Sequence, residues 1–366
     1  MLPLLSLAIS PLLSVVNTPA LAVEDEFLVW RGHVVSIAEA AGELSARLIE
    51  ELEAWGAWCA ERGYQAVLDD DGRALVVAAA KRRDLEDLAE RARQAASLVD
   101  ALVPLPERDP DETFLVPDWG LGQHVPEQDT ATVVLVEAEP DFESLMGLLQ
   151  SIKPALAGHL PRKAAVPAFH SGEAATGALL SAPRDVEIGT VWRAHNEVVN
   201  RLARLLLHRR FGELPYWLEM GLAWHVEQSV MGDIYSFPGR NEFIAVGEHD
   251  GWKNDLKREF RKRRKQPLEL DEVAGWTSRR WDGRAAAIAW GFAKFLAHQP
   301  PQTASAILED LRLDVKEHGV EVHPDSSWQV VVGYHTPVAR QHEILARHLG
   351  DDYLERVSEF FRKWKP

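Results

Sequence analysis

The sequence predicts an α+β protein: a small α/β lobe, then a larger part that opens on a sheet and continues mainly as helices. Three observations predict this. The order β-α-β-β-α can be read twice before residue 190, the apolar pattern after it is almost wholly helical, and 366 residues at 46% hydrophobic content suffice for a sizeable core.

Taken in order, residues 2–16 are apolar and Ala20-Leu21-Ala22 precedes an acidic run. An apolar stretch followed by an A-x-A site predicts a secretory signal peptide over 1–22. The stretch is short and broken by Pro11, which argues against a membrane anchor, and no later stretch is apolar enough to span a bilayer. Phe27 to Val35 is strand-like. A helix follows over about 37–62, with Leu44, Leu48, Ile49, Leu52 and Trp55 on one face. Tyr64–Leu68 and Ala74–Ala79 read as a hairpin closed by Asp69-Asp70-Asp71-Gly72. A helix over about 83–103 completes the N-terminal lobe, residues 23–106.

Residues 107–129, rich in Pro, Asp and Gly, read as a linker. A second domain is expected over 130–366, sheet-bearing over 130–189 and mainly helical over 190–366. Its sheet would use Thr132–Ala138, Ala164–His170 and Thr176–Ser181, with a helix over about 141–156. The stretch 192–227 reads as helix, tight turn, helix: Val198, Val199, Leu202, Leu205 and Leu206 recur at three and four residues, Gly212 stops the first helix, and Pro215 starts the second. An irregular segment follows Val230, then the basic block 253–265, KNDLKREFRKRRK. A buried helix is expected over 281–296, a short extended piece over 323–335, and two amphipathic helices over 339–364, parted by Gly350-Asp351-Asp352.

Net charge is −16, which argues against a nucleic-acid binder. A single cysteine, Cys59, permits neither an intrachain disulfide nor a zinc-finger cluster. No G-x-S-x-G nucleophile motif occurs. The basic block reads as a solvated helix face, with an anion, lipid-headgroup or acidic-partner patch as the alternative.

The chemically suggestive residues lie in NEVVN, 196–200, and in WLEMGLA, 217–223. These resemble the two helices of the gluzincin family of zinc metallopeptidases. There H-E-x-x-H places two imidazoles at i and i+4 on one helix face, the Glu activates a metal-bound water, and a second helix supplies a Glu ligand. Here the histidine positions are Asn196 and Asn200, and Glu197 keeps the general-base position. The third ligand position is Met220 when aligned on Trp217 and Gly221, or Glu219 when aligned by loop length. Ala286 stands where the family can carry a tyrosine that steadies the intermediate. Amides and a thioether are poor zinc ligands, so the zinc expected of the family is predicted lost and no cofactor is expected. His195 and His225 are the residues that could compensate.

The resemblance implies an exported, periplasmic or extracellular bacterial pseudopeptidase, leaning away from enzyme activity. Its former cleft would bind a peptide or protein segment along an edge strand, near 164–170 or 176–181. The alternatives are an active zinc peptidase with a rearranged ligand set and an envelope structural protein.

Overall fold

The computed structural model describes residues 27–30, 33–36, 46–68, 74–79, 81–104, 113–116, 120–123, 131–136, 138–152, 168–171, 176–180, 193–236, 247–263, 266–277, 282–322, 328–330 and 334–364. The proposed signal peptide and the Asp69–Gly72 turn lie outside these residues. In chain order the strands are β1 Phe27–Trp30, β2 His33–Ser36, β3 Gln65–Leu68, β4 Ala74–Ala78, β5 Thr113–Val116, β6 Gly120–Gln123, β7 Ala131–Val136, β8 Ala168–Ser171, β9 Thr176–Leu180, β10 Val320–Val322 and β11 Trp328–Val330. The helices are α1 Ala46–Arg62, α2 Arg82–Leu102, α3 Glu139–Ile152, α4 Ala194–Phe211, α5 Tyr216–Met231, α6 Gly247–Lys262, α7 Asp271–Ala274, α8 Gly283–Leu296, α9 Pro301–His318, α10 Val338–Leu349 and α11 Tyr353–Lys363. The class is α+β.

A seven-stranded mixed sheet, in the order β2-β1-β3-β4-β7-β9-β8, runs through the first half of the chain. Its two middle strands, β4 (ALVVA) and β7 (ATVVLV), are buried at every position and pair in parallel. Continuous apolar runs of this kind belong to strands covered on both faces. Ala74, Val76, Ala78, Ala131, Val133 and Leu135 face the main core with α2 and α4. The alternate positions lie on the other face, the side of α1 and α3, where Trp58 Nε1 donates to Ser144 Oγ at 3.1 Å and the Tyr64 hydroxyl to Asp141 at 3.0 Å.

This sheet corrects the domain division predicted from composition. The N-terminal lobe and the sheet-bearing part share one sheet, because β4 pairs with β7 in register Ala74–Ala131 to Ala78–Leu135. The predicted linker 107–129 contains the β5–β6 hairpin. The helix α9, which begins at Pro301 in the first turn, was not anticipated. Of the two candidate edge strands, β9 is interior and β8 is terminal.

The helices α4 and α5 form an antiparallel hairpin through residues 212–215. Helix α5 lies so close to α8 that a Cβ at Gly221 would sit 2.4 Å from the Ala289 carbonyl oxygen, so only glycine allows this approach. Trp217 closes the layer, its ring edge-on to Phe292 at 5.1 Å and its Nε1 donating to Gln341 at 2.9 Å.

Candidate functional site: a carboxylate enclosed by amides

Asn196 and Asn200 are one turn apart in the first half of α4, and both are buried. They converge on Glu227 of α5, which is fully buried. Asn196 Nδ2 donates to Glu227 Oε1 at 2.9 Å, and Asn200 Nδ2 donates to Oε2 at 3.0 Å. The backbone N–H groups of Tyr235 and Ser236 donate to Oε1 at 2.6 and 3.1 Å. Four N–H donors from two segments thus surround one carboxylate.

The segment after α5 supplies two of those donors. Gly232, at φ 84°, ends the helix in the left-handed conformation and turns the chain back over the site. Arg193, at the start of α4, then straps it down: its guanidinium donates to Asp233 Oδ2 at 2.6 Å and the Tyr235 hydroxyl at 2.9 Å, and stacks 3.6 Å from the Tyr235 ring centre. Asp233 Oδ1 accepts from Asn196 Nδ2 at 3.0 Å, and the Ser236 carbonyl accepts from Trp224 Nε1 at 2.8 Å.

Burial pushes the Glu227 carboxyl up to about 8, and the nearby Glu197 adds to the rise; the N–H groups of Tyr235, Asn196 and Asn200 pull the other way. Glu197 itself lies 3.6 Å from Arg201 Nε, one turn further along α4. Arg201 is buried and held below its usual range by that burial, against the opposing pull of Glu197.

The structure places the other predicted residues elsewhere. Met220 is fully buried in the apolar core, seven residues before Glu227 and so on nearly the same face of α5 but about 10 Å nearer the turn. Glu219 accepts from Arg204 Nε at 2.6 Å. Neither Met220 nor Glu219 is hydrogen-bonded to the asparagine pair. His195 Nε2 lies 2.8 Å from Asp87 of α2. His225, two residues before Glu227, is turned about 200° round the helix from it. Burial, Lys294 and His298 press His225 down to about 3. His195, His225, Glu197 and Glu219 therefore do not form a group that could hold a metal ion. Ala286 is fully buried, and burial pushes the Cys59 thiol up to about 12, which removes it as a nucleophile.

Sequence reasoning missed Glu227, although a signal for it existed. In an antiparallel helix hairpin, residues equally far from the turn face each other. Asn200 stands thirteen residues before Glu213, and Glu227 thirteen after Leu214. Counting from the turn finds the carboxylate that motif alignment overlooked.

The donor set does not suit zinc. Two amides present N–H groups to the Glu227 carboxyl, whose oxygens already accept four bonds, and among the described residues no imidazole is hydrogen-bonded to it. Asn196 Oδ1 is buried without a hydrogen-bond partner. No group of three His, Cys, Asp or Glu side chains placed to hold a metal occurs among the described residues. No family model matches this chain, and no curated protein is significantly similar to it.

Proposed function

We propose that the chain is an exported, gluzincin-like pseudopeptidase in which a hydrogen-bonded knot has taken the place of a metal centre. One observation carries this reading: the Glu227 carboxylate is enclosed by Asn196, Asn200 and the Tyr235–Ser236 backbone, at the crossing of two helices that resemble a zinc-peptidase pair. Glu227, rather than Met220 or Glu219, takes the third ligand position. Glu197, bound to Arg201 and with no metal-bound water to activate, is then a structural residue. The protein works by binding, and β8, the terminal strand of the large sheet, is the edge to which an extended peptide would add. The apolar leader and A-x-A site support an exported, periplasmic or extracellular location; among the described residues no helix is long and apolar enough to cross a membrane.

Rebuilding the metal site tests this. The double variant Asn196→His/Asn200→His should acquire about one zinc per chain by elemental analysis, and adding Glu227→Ala should abolish it, whereas Glu219→Ala should leave it intact. Wild-type protein should hold no stoichiometric zinc and show no chelator-sensitive peptidase activity. One zinc per wild-type chain, lost on His225→Ala or Glu219→Ala, would overturn the reading in favour of an active enzyme with a rearranged ligand set.

A further inference from the structure

The basic block noted in the sequence divides in two. Towards its C-terminal end, Arg263 joins Arg284 in a closed network with Glu259 and Glu272. Its N-terminal end, Lys253, joins no such network and acts instead on Lys294 of α8.

Both lysines lie on one stack of indole rings. Trp364 packs on Trp290 at 5.0 Å and an interplanar angle of 22°. Lys253 Nζ is 5.9 Å from the Trp364 ring centre, and Lys294 Nζ is 5.8 Å from that of Trp290. Trp290 is buried, and Trp252 of α6 lies against it at 5.9 Å. Lys294 is half-buried, so its amine is partly stripped of water and still within reach of a small molecule.

No carboxylate among the described residues pairs with either lysine. The elements packed against α8 show why. From α11, Arg356 pairs with Asp352 and Lys363 with Glu359. From α7, Glu272 is taken by Arg263 and Arg284, and Arg284 stands about 15 Å before Lys294 along the helix. From α5 comes His225, kept neutral by burial, with no hydrogen-bond partner on Nδ1. On α8 itself, His298 Nδ1 donates to the Lys294 carbonyl oxygen at 2.7 Å. What is left is Lys253 of α6. Burial and then the Lys253 ammonium draw Lys294 below the usual lysine range. The Trp290 face opposes this only weakly, because 5.8 Å is the outer edge of cation–π contact.

We propose that Lys294 is a reactive amine that takes up a small apolar aldehyde as an imine. An amine that is partly desolvated and set beside a second cation is a nucleophile at neutral pH, because losing its proton removes a repulsion. After that proton has gone to solvent, the Nζ lone pair attacks the carbonyl carbon and the π pair moves to oxygen. The carbinolamine then loses water, so a C=N bond replaces C=O with no change of oxidation state. The unprotonated imine carries no charge to oppose Lys253, and the indole wall suits a flat apolar substituent. The site shares no residue with the Glu227 cluster, so it stands whether or not the pseudopeptidase reading does.

Competitive labelling of the purified protein tests it. Limiting benzaldehyde is added, the imines are fixed with borohydride, and the labelled lysines are quantified by peptide mapping. Lys262, an exposed lysine of α6, is the reference in the same chain. At pH 7 Lys294 should be labelled about tenfold more than Lys262, and this ratio should shrink by pH 10, where both amines lose their protons. In Lys253→Met, labelling of Lys294 at pH 7 should drop about twofold or more while Lys262 is unchanged. The proposal is overturned if Lys294 is labelled no more than Lys262 at pH 7. It is equally overturned if the ratio is the same at both pH values, which would mean access rather than a low-lying proton, or if Lys253→Met leaves Lys294 labelling unchanged.

Discussion

Two regions of this molecule handle buried charge in opposite ways. At the α4–α5 crossing one carboxyl group is taken wholly out of water and accepts four N–H groups, three on Oε1 from Asn196, Tyr235 and Ser236 and one on Oε2 from Asn200. At the α6–α8–α11 junction, Lys253 and Lys294 are only partly covered, and what faces them is aromatic rather than anionic. In the first region the buried carboxyl finds all its donors within the chain, although Asn196 Oδ1 is left without a partner. In the second, two ammonium groups have no carboxylate partner among the described residues.

The largest effect should come from opening the first region. Glu227→Ala leaves the Asn200 amide and two backbone N–H groups without their acceptor and takes one of two from Asn196, which should cost about 3–5 kcal/mol in urea denaturation. A loss below about 1 kcal/mol would show that water already reaches the site and that the contrast between the regions is false.

The next effect is a pH dependence with a defined sign. The folded-state Glu227 carboxyl lies near 8, above its ordinary value of 4.5. The folded protein therefore holds a proton that the unfolded chain releases. Its contribution to stability is fully present below about 4.5 and is lost as pH rises through about 8. Wild-type stability minus that of Glu227→Gln should fall by roughly 2–4 kcal/mol from pH 4.5 to 8. A flat difference would mean that the N–H donors outweigh burial and keep the carboxylate ionised throughout.

The smallest effect sharpens the contrast between two cations. Lys294→Met should stabilise the free protein by up to about 1 kcal/mol, since exposure screens much of the repulsion. Arg263→Met, in the closed network with Glu259 and Glu272, should destabilise by about 1–2 kcal/mol. Equal signs in thermal melts would erase the distinction between compensated and uncompensated charge.

What could be read beforehand follows the range of the interactions. The strands β3, β4, β7 and β9 and the helices α2, α4, α5, α8, α10 and α11 appear close to where periodicity and turn residues put them, because those signals act within a few residues. The i, i+4 placement of Asn196 and Asn200 on one face of α4 is equally local. The β5–β6 hairpin falls in a stretch whose composition reads as a linker, and α9 in one for which the sequence pattern predicts no element. Aligning WLEMGLA to a motif gave Met220 or Glu219, when the hairpin geometry pairs Asn200 with Glu227.

By itself the sequence determined the local elements, the α+β class, and the absence of imidazoles from the N-E-x-x-N face. Tertiary structure alone decided that the first lobe and the second share one sheet, which acceptor the two asparagines serve, and which lysines are left without one. The reason is physical: periodicity is set by neighbours three or four residues away. The satisfaction of a buried charge is set by groups such as Ser236 and Asn196, or Lys253 and Trp364, that only packing brings together.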